Sequence, residues 1–159
     1  MGKGDLERIE MKSIGLVSRT SPDEDVKDKS LVSRIVLRKD LTKALDGIED
    51  FSHILVIYWL HNVKGAEKPI LHHPSQKRES QPLGIFATRA PIRPNPIGLT
   101  LVELVSRDEN VLVVRGLDAV DGTPVLDIKP YPDWEQGRPI IVTDFKVPKW
   151  LTRTDDQHL

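Results

Sequence analysis

Three prolines, Pro91, Pro94 and Pro96, interrupt the otherwise apolar segment Gly84 to Thr100, GIFATRAPIRPNPIGLT. Each removes a backbone donor and fixes φ near about −65°, so none can lie inside a helix or a central strand. The preceding residues Ala90, Arg93 and Asn95 are pushed to extended backbone. The segment is a stiff loop between two strands. Arg93 and Asn95 are held on a preset backbone and lose little freedom on meeting a ligand. A rigid structural turn accounts for the prolines, but packing does not need two arginines and an asparagine in or beside it.

The flanking chain reads mostly as strand. Leu31, Ser33, Ile35 and Leu37 alternate with Val32, Arg34, Val36 and Arg38, and Ile54 to Leu60 is an apolar run rich in β-branched and aromatic residues. Further strands are expected at Ile9 to Val17, Leu83 to Thr88, Leu99 to Val105, Val111 to Leu117, Pro124 to Ile128 and Ile140 to Phe145. Asp108-Glu109-Asn110 has hairpin chemistry, and Asp121-Gly122 marks another turn. One short helix is expected at Leu41 to Leu45, with Asp40 as N-cap and Gly47 just past its end. The expectation is a mainly β fold, a small barrel of about seven strands with one or two short helices. At 159 residues it forms one domain, with a C-terminal tail from about residue 146.

Composition excludes several classes. With 0 cysteines there is no disulfide framework and no thiolate site, which fits a reducing compartment, and the cytoplasm is the expected location. The longest apolar run falls far short of the ~20 residues of a membrane helix, and no apolar signal region follows the N-terminus, so no membrane association is expected. The net charge of −1 argues against a uniformly basic nucleic-acid binder. Yet Lys64, Lys68, Lys77, Arg78, Arg89 and Arg93 face only Glu67 and Glu79 between positions 64 and 93. Such a segment recognises an anion without making the whole chain adhere to polyanions; a solvated basic loop reads the same on charge alone.

The proline segment, LDAVDGTPVLDIKPY (Leu117 to Tyr131) and FSHILVIYWLH (Phe51 to His61) together resemble the tRNA adenosine N6-methyltransferase family of the TrmO type, over roughly Ile14 to Tyr131. The resemblance implies a small homodimeric β-barrel. It also implies that S-adenosyl-L-methionine is used to methylate N6 of the threonylcarbamoyl-modified adenosine just 3′ of the anticodon, at tRNA position 37. The Gly-rich turn of doubly wound methyltransferases is absent, since no G-x-G-x-x-G occurs. Two departures stand out. The family reaches a Ser-Pro soon after its Ile-Gly, whereas this chain reads Leu16-Val17-Ser18-Arg19-Thr20-Ser21-Pro22, which leaves the N-terminal cofactor contact unassigned. Against the longer bacterial members, the resemblance leads us to expect a short form without their C-terminal extension.

Carried over residue by residue, the implied cofactor contacts fall on His61, Asn62, Arg89, Leu99 and the Leu117, Asp118, Ala119 and Val120 backbone. His61 also reads as a capping or core histidine. His61, His72 and His73 do not form a metal set: adjacent histidines on a strand point to opposite faces, and no H-x-x-x-H spacing or cysteine supports one, so no metal is expected.

A sulfonium methyl is already activated, so in-line placement of the adenine amine supplies much of the rate. An acceptor that takes the amine's hydrogen bonds would draw its lone pair out of the ring. The catalytic candidates are Asn95, through its side-chain carbonyl, and Asp127. Asp127 and Lys129 share one strand face and are equally readable as a structural ion pair. Substrate-binding candidates are Arg93, Lys129 for a phosphate or carboxylate, and Tyr131 for a stacked base; Trp134 reads as a stacking residue or one buried under a loop. The competing class is a non-catalytic β-barrel RNA- or nucleotide-binding module. A hydrolase built on His61 lacks a nucleophile motif.

Overall fold

The computed structural model describes residues 9–63, 70–71, 83–135 and 138–146. In chain order the strands are β1 (Gly15–Ser18), β2 (Val32–Leu37), β3 (His53–Trp59), β4 (Ile70–Leu71), β5 (Leu83–Gly84), β6 (Ile97–Asp108), β7 (Val111–Arg115), β8 (Pro124–Tyr131), β9 (Trp134–Glu135) and β10 (Arg138–Pro139). Six of them close an antiparallel barrel in the order β1-β2-β7-β6-β3-β8, with β8 returning to β1. The pairs β4–β5 and β9–β10 stand outside it.

Alternation decides what the barrel encloses. Ser33, Ile35 and Leu37 of β2 point inward while Val32, Arg34 and Val36 point out, and Ile54, Val56 and Tyr58 of β3 do the same against Leu55 and Ile57. Val17, Val102, Leu112, Val114 and Val125 complete the interior. Closure needs bends. β6 pairs with β3 through its first half and with β7 through its second, and its register with β7 shifts between Leu104 and Ser106. A second irregularity at Ile57/Tyr58 lets β8 cross from β3 to β1.

The mainly β barrel is as the sequence implies, closing on six strands, but several boundaries differ. β1 starts at Gly15 rather than Ile9, because β8 and β2 offer no partner beyond the bonds of Ile14 with Val125 and Arg38. The strand expected over Leu83 to Thr88 ends at Gly84 and becomes a 3₁₀ turn, Ile85–Ala87. The helix expected at Leu41 to Leu45 is the 3₁₀ segment Lys39–Leu45. Arg107 donates to the Thr42 and Leu45 carbonyls at 3.0 Å, and Asp40 binds the Arg38 guanidinium instead of capping. Residues 140–146 form no strand, the short β9–β10 pair preceding them instead. Of the expected tail, residues 147–159 lie outside the described residues. The β6–β7 hairpin turns at Glu109 and Asn110 as its chemistry requires, with Glu109 at φ 50.

Within the barrel, Tyr58 lies opposite Gly98, and a Cβ on Gly98 would overlap the Tyr58 ring. Gly98→Ala should therefore cost about 1–3 kcal/mol of stability, read as a lowered urea midpoint. An unchanged midpoint would show that the ring does not need the bare glycine.

Candidate functional site

Strands β1, β3 and β7 finish at one end of the barrel, where β2, β6 and β8 begin. Three connections meet there. Past Trp59 the chain folds over, with Leu60 N donating to the Pro96 carbonyl at 2.8 Å and His61 N to Trp59 at 2.9 Å. Past Arg115, Gly116 at φ 85 turns the chain, and Leu117 to Val120 crosses the same end outside any ladder until Gly122 at φ 72 redirects it into β8. Leu117 and Ala119 are buried, fixing this crossing to the core. The β1–β2 connection brings Val26 alongside. Between them lies a cleft of about 170 Å³, lined by Leu60, His61, Asn62 and Val63 on one side, Asp118, Ala119, Val120 and Thr123 on the other, and Val26.

Side chains supply the bonds that the crossing segment lacks. The Tyr58 hydroxyl donates to the Asp118 carbonyl, and with its one proton so placed Thr100 Oγ1 is the donor in their 3.0 Å contact. Arg19, only 8% exposed, donates to the Leu117 carbonyl at 3.3 Å and to the Asp25 carbonyl at 3.0 Å, tying the Val26 connection to the crossing. Its backbone N–H donates to Asp121 Oδ1 at 2.8 Å, and Lys29 Nζ donates to the Gly116 carbonyl at 3.1 Å. Burial raises the Tyr58 pKa, opposed by the Thr100 hydrogen bond and the nearby Arg89 charge.

The proline loop is clamped from within. Arg93 Nη1 donates to the carbonyls of Thr88 (2.8 Å), Ala90 (3.4 Å) and Ile85 (3.5 Å), which no strand satisfies. Thr88 Oγ1 donates to Ile85 at 2.9 Å, and Arg89 Nη2 reaches the Leu99 carbonyl at 3.0 Å. Pro96 is buried under the Leu60 contact, whereas Pro91, Ile92, Pro94 and Asn95 are exposed.

The residues singled out from the sequence fall into three groups. His61, Asn62, Asp118, Ala119 and Val120 converge on the cleft, with Leu117 buried behind them. Arg89, Arg93 and Asn95 belong to the adjoining loop, where Arg93 serves as the clamp. Leu99, Asp127, Lys129 and Tyr131 lie along the barrel wall. Asp127 Oδ2 pairs with Lys129 Nζ at 2.9 Å while Oδ1 accepts the Ile128 N–H, and both residues are half-exposed. Tyr131 is registered with His53, at the barrel end opposite the cleft and roughly 20 Å along the strands at ~3.3 Å per residue. Sequence reasoning missed Val26, Leu60, Val63 and Thr123, apolar or small residues without a chemical signature, and Tyr58, whose role depends on a register fixed only by strand pairing. Among the described residues no three His, Asp or Glu side chains converge, and His72 and His73 lie outside them. No helix of the described residues is long and apolar enough to cross a membrane.

The profile of the tRNA-methyltransferase O N-terminal domain family matches residues 16–134. A probable S-adenosyl-L-methionine-binding protein of Methanothermobacter thermautotrophicus is 46% identical over 129 residues, 77% of this chain and 90% of its own length. The tRNA (adenine(37)-N6)-methyltransferase of Escherichia coli is 41% identical over 101 residues, 60% of this chain but 43% of its own length. The crystal structure of TrmO from Pseudomonas aeruginosa superposes with a TM-score of 0.64 at 30% identity, covering 80% of this chain and 57% of that one.

The Tyr58 environment yields a titration test. Its folded pKa is raised above the unfolded value, so the stabilisation is fully present below about pH 10 and is lost as pH rises through the folded pKa. Ultraviolet titration of the two tyrosines should show one ionising late, and Tyr58→Phe should remove that late transition. A late transition that persists in the variant would place the strained ionisation elsewhere.

Proposed function

Since the chain belongs to the tRNA-methyltransferase O N-terminal domain family, we propose that it is an S-adenosyl-L-methionine-dependent methyltransferase. Its proposed target is N6 of the threonylcarbamoyl-modified adenosine at tRNA position 37. The observation that carries this reading is the cleft, which gathers His61, Asn62 and Asp118 to Val120 from segments more than fifty residues apart. Its donor set suits the cofactor. Val26, Leu60, Val63 and Val120 offer apolar faces to a purine, and the Asn62 and Asp118 side chains offer polar groups to its rim and ribose. When bound, the cofactor supplies a methyl group on a positively charged sulfur.

The chain's own residues then have to bring the amine into line. Asn95, exposed on a loop stiffened on both sides by proline, would accept a hydrogen bond from the single N6–H through its side-chain oxygen; as the methyl carbon leaves sulfur for N6 that proton would pass to solvent, since a carboxamide is too weak a base to keep it. Arg93 holds the loop by its carbonyls, and Arg89 braces it on β6. Misplacement by about 1 Å can cost on the order of a hundredfold in such a reaction, so stiffness here serves positioning.

The reading extends to a two-fold homodimer. On the outer wall, Trp59, Ile57 and Leu55 of β3 are registered with Ile97, Leu99 and Leu101 of β6, an apolar stripe on a barrel that buries its core elsewhere. Asp127 and Lys129 border it, opposite Ile57 and Leu55. A two-fold axis across the strands would set a partner's Lys129 and Tyr131 beside this chain's cleft, reuniting groups that one copy holds apart.

Two measurements test these points. The parent protein should transfer methyl groups to position 37 of purified tRNA, read by nucleoside mass spectrometry. Asn95→Ala should slow that step by on the order of a hundredfold with cofactor affinity nearly intact. Cofactor silence in calorimetry with retained tRNA binding would instead identify a non-catalytic module. Leu101→Glu should convert a dimer to a monomer in light scattering, and a parent already monomeric at high micromolar concentration would refute the dimer.

A further inference from the structure

Phe86 is 79% exposed although its neighbour Ile85 is buried. Folding does not account for a phenyl ring left in water on a turn that is already anchored by the residue before it. The ring is not free-standing: the Arg93 guanidinium carbon lies 5.8 Å from its centroid. That guanidinium is itself fixed, because the Ile85, Thr88 and Ala90 carbonyls all accept from its Nη1. Ring and cation thus form a flat surface whose geometry is set before any ligand arrives.

The surroundings indicate the kind of ligand. From Gly84 to Thr100 there are two arginines and no acidic residue, so the surface tolerates a polyanion. The loop adjoins the cleft through the Leu60 N–H to Pro96 carbonyl bond at 2.8 Å. A protein partner would call for a continuous apolar patch, whereas on this loop the exposed Phe86 and Ile92 are interspersed with Arg89, Arg93 and Asn95. A rigid aromatic face backed by a guanidinium is how unpaired RNA bases are received, and stacking is available to any base. An adenine presented for chemistry at N6 has to leave its stack, and the base beside it then lacks a neighbour.

We infer that Phe86, backed by Arg93, is the stacking platform for the unpaired nucleobase next to the target adenine. This rests on the RNA-methylating reading above and names a contact outside the cofactor cleft. Phe86 supplies the π-face, and Arg93 fixes its position and adds positive charge behind it.

The test uses an anticodon stem-loop RNA carrying 5-iodouridine at either position flanking the target adenosine. On irradiation of the full-length protein, the cross-linked peptide should contain Phe86. Phe86→Leu, which keeps apolar bulk but not the aromatic face, should lose the cross-link and weaken RNA binding about 5- to 150-fold, with cofactor affinity unchanged. Phe86→Tyr should restore both. Equal RNA affinity for parent and Phe86→Leu, or cross-links only to other residues, would overturn the platform. A halved particle mass for Phe86→Leu in light scattering would also overturn it, since the ring would then be a contact between copies. A parent that transfers no methyl group yet shows the Phe86-dependent cross-link and affinity would uphold the platform while defeating the methyltransferase reading.

Discussion

The ring of Tyr58 lies over the bare Cα of Gly98, and its hydroxyl holds the carbonyl of Asp118 across the barrel end. Most of the candidate site depends on this contact. Leu117 to Val120 has no ladder neighbour, and its buried carbonyls need donors. Tyr58 supplies one from the core and Arg19 another from the β1–β2 connection, so the cleft wall is a loop held as firmly as a strand. An apolar residue at 58 would preserve the interior yet leave Asp118 O and Thr100 Oγ1 without their partner, at about 1–3 kcal/mol for the buried Thr100 hydroxyl and less for the part-buried Asp118 carbonyl. The barrel is thus the scaffold on which the wall is stretched, and Gly98 is the space that lets the strut pass.

The proline loop solves a related problem by a different route. With three prolines it has few donors of its own, so without another donor its carbonyls would be left to water and the loop would lack internal bonds. Arg93 gathers three of them with one guanidinium nitrogen. This assigns the arginine an internal duty that charge counting could not reveal: a residue of the basic segment acts first as the loop's cross-brace. Asn95, two residues on, stays exposed because the brace and the buried Pro96 fix the backbone on either side of it.

Legibility in the sequence followed periodicity. β2 was readable from its alternation, β3 as an apolar run rich in β-branched and aromatic residues, and the β6–β7 hairpin because Asp108-Glu109-Asn110 carries its own turn chemistry. Where apolar residues lack a neighbouring strand, as at Ile9 to Met11 and Ile140 to Phe145, local propensity promised strands that pairing could not deliver. The short helix expected at Leu41 to Leu45 is present in its tighter form, the 3₁₀ helix Lys39–Leu45, whose Thr42 and Leu45 carbonyls accept from Arg107, over sixty residues away. In the site, motif resemblance marked His61, Asn62 and the Leu117 to Val120 crossing. It could not mark Val26 or Tyr58, whose contributions arise from connection geometry and cross-strand register.

The spacing of groups along the barrel bears on why a fold without a phosphate-cradling glycine turn can serve such chemistry. A sulfonium methyl needs little polarisation, so the protein's task reduces to holding two molecules in line. Under the reading proposed above, the cofactor would occupy the rigid end of the closed barrel while Lys129 and Tyr131 of the wall would meet the RNA, and the barrel end and Tyr131 are about a strand length apart in a single copy. RNA spans that distance easily, but an adenine does not. Either the substrate must bend around the rim past Phe86, or a second barrel must bring its wall to the first one's end. These routes are compatible, because the Phe86 loop sits at the cleft end while the apolar stripe of β3 and β6 runs down the side.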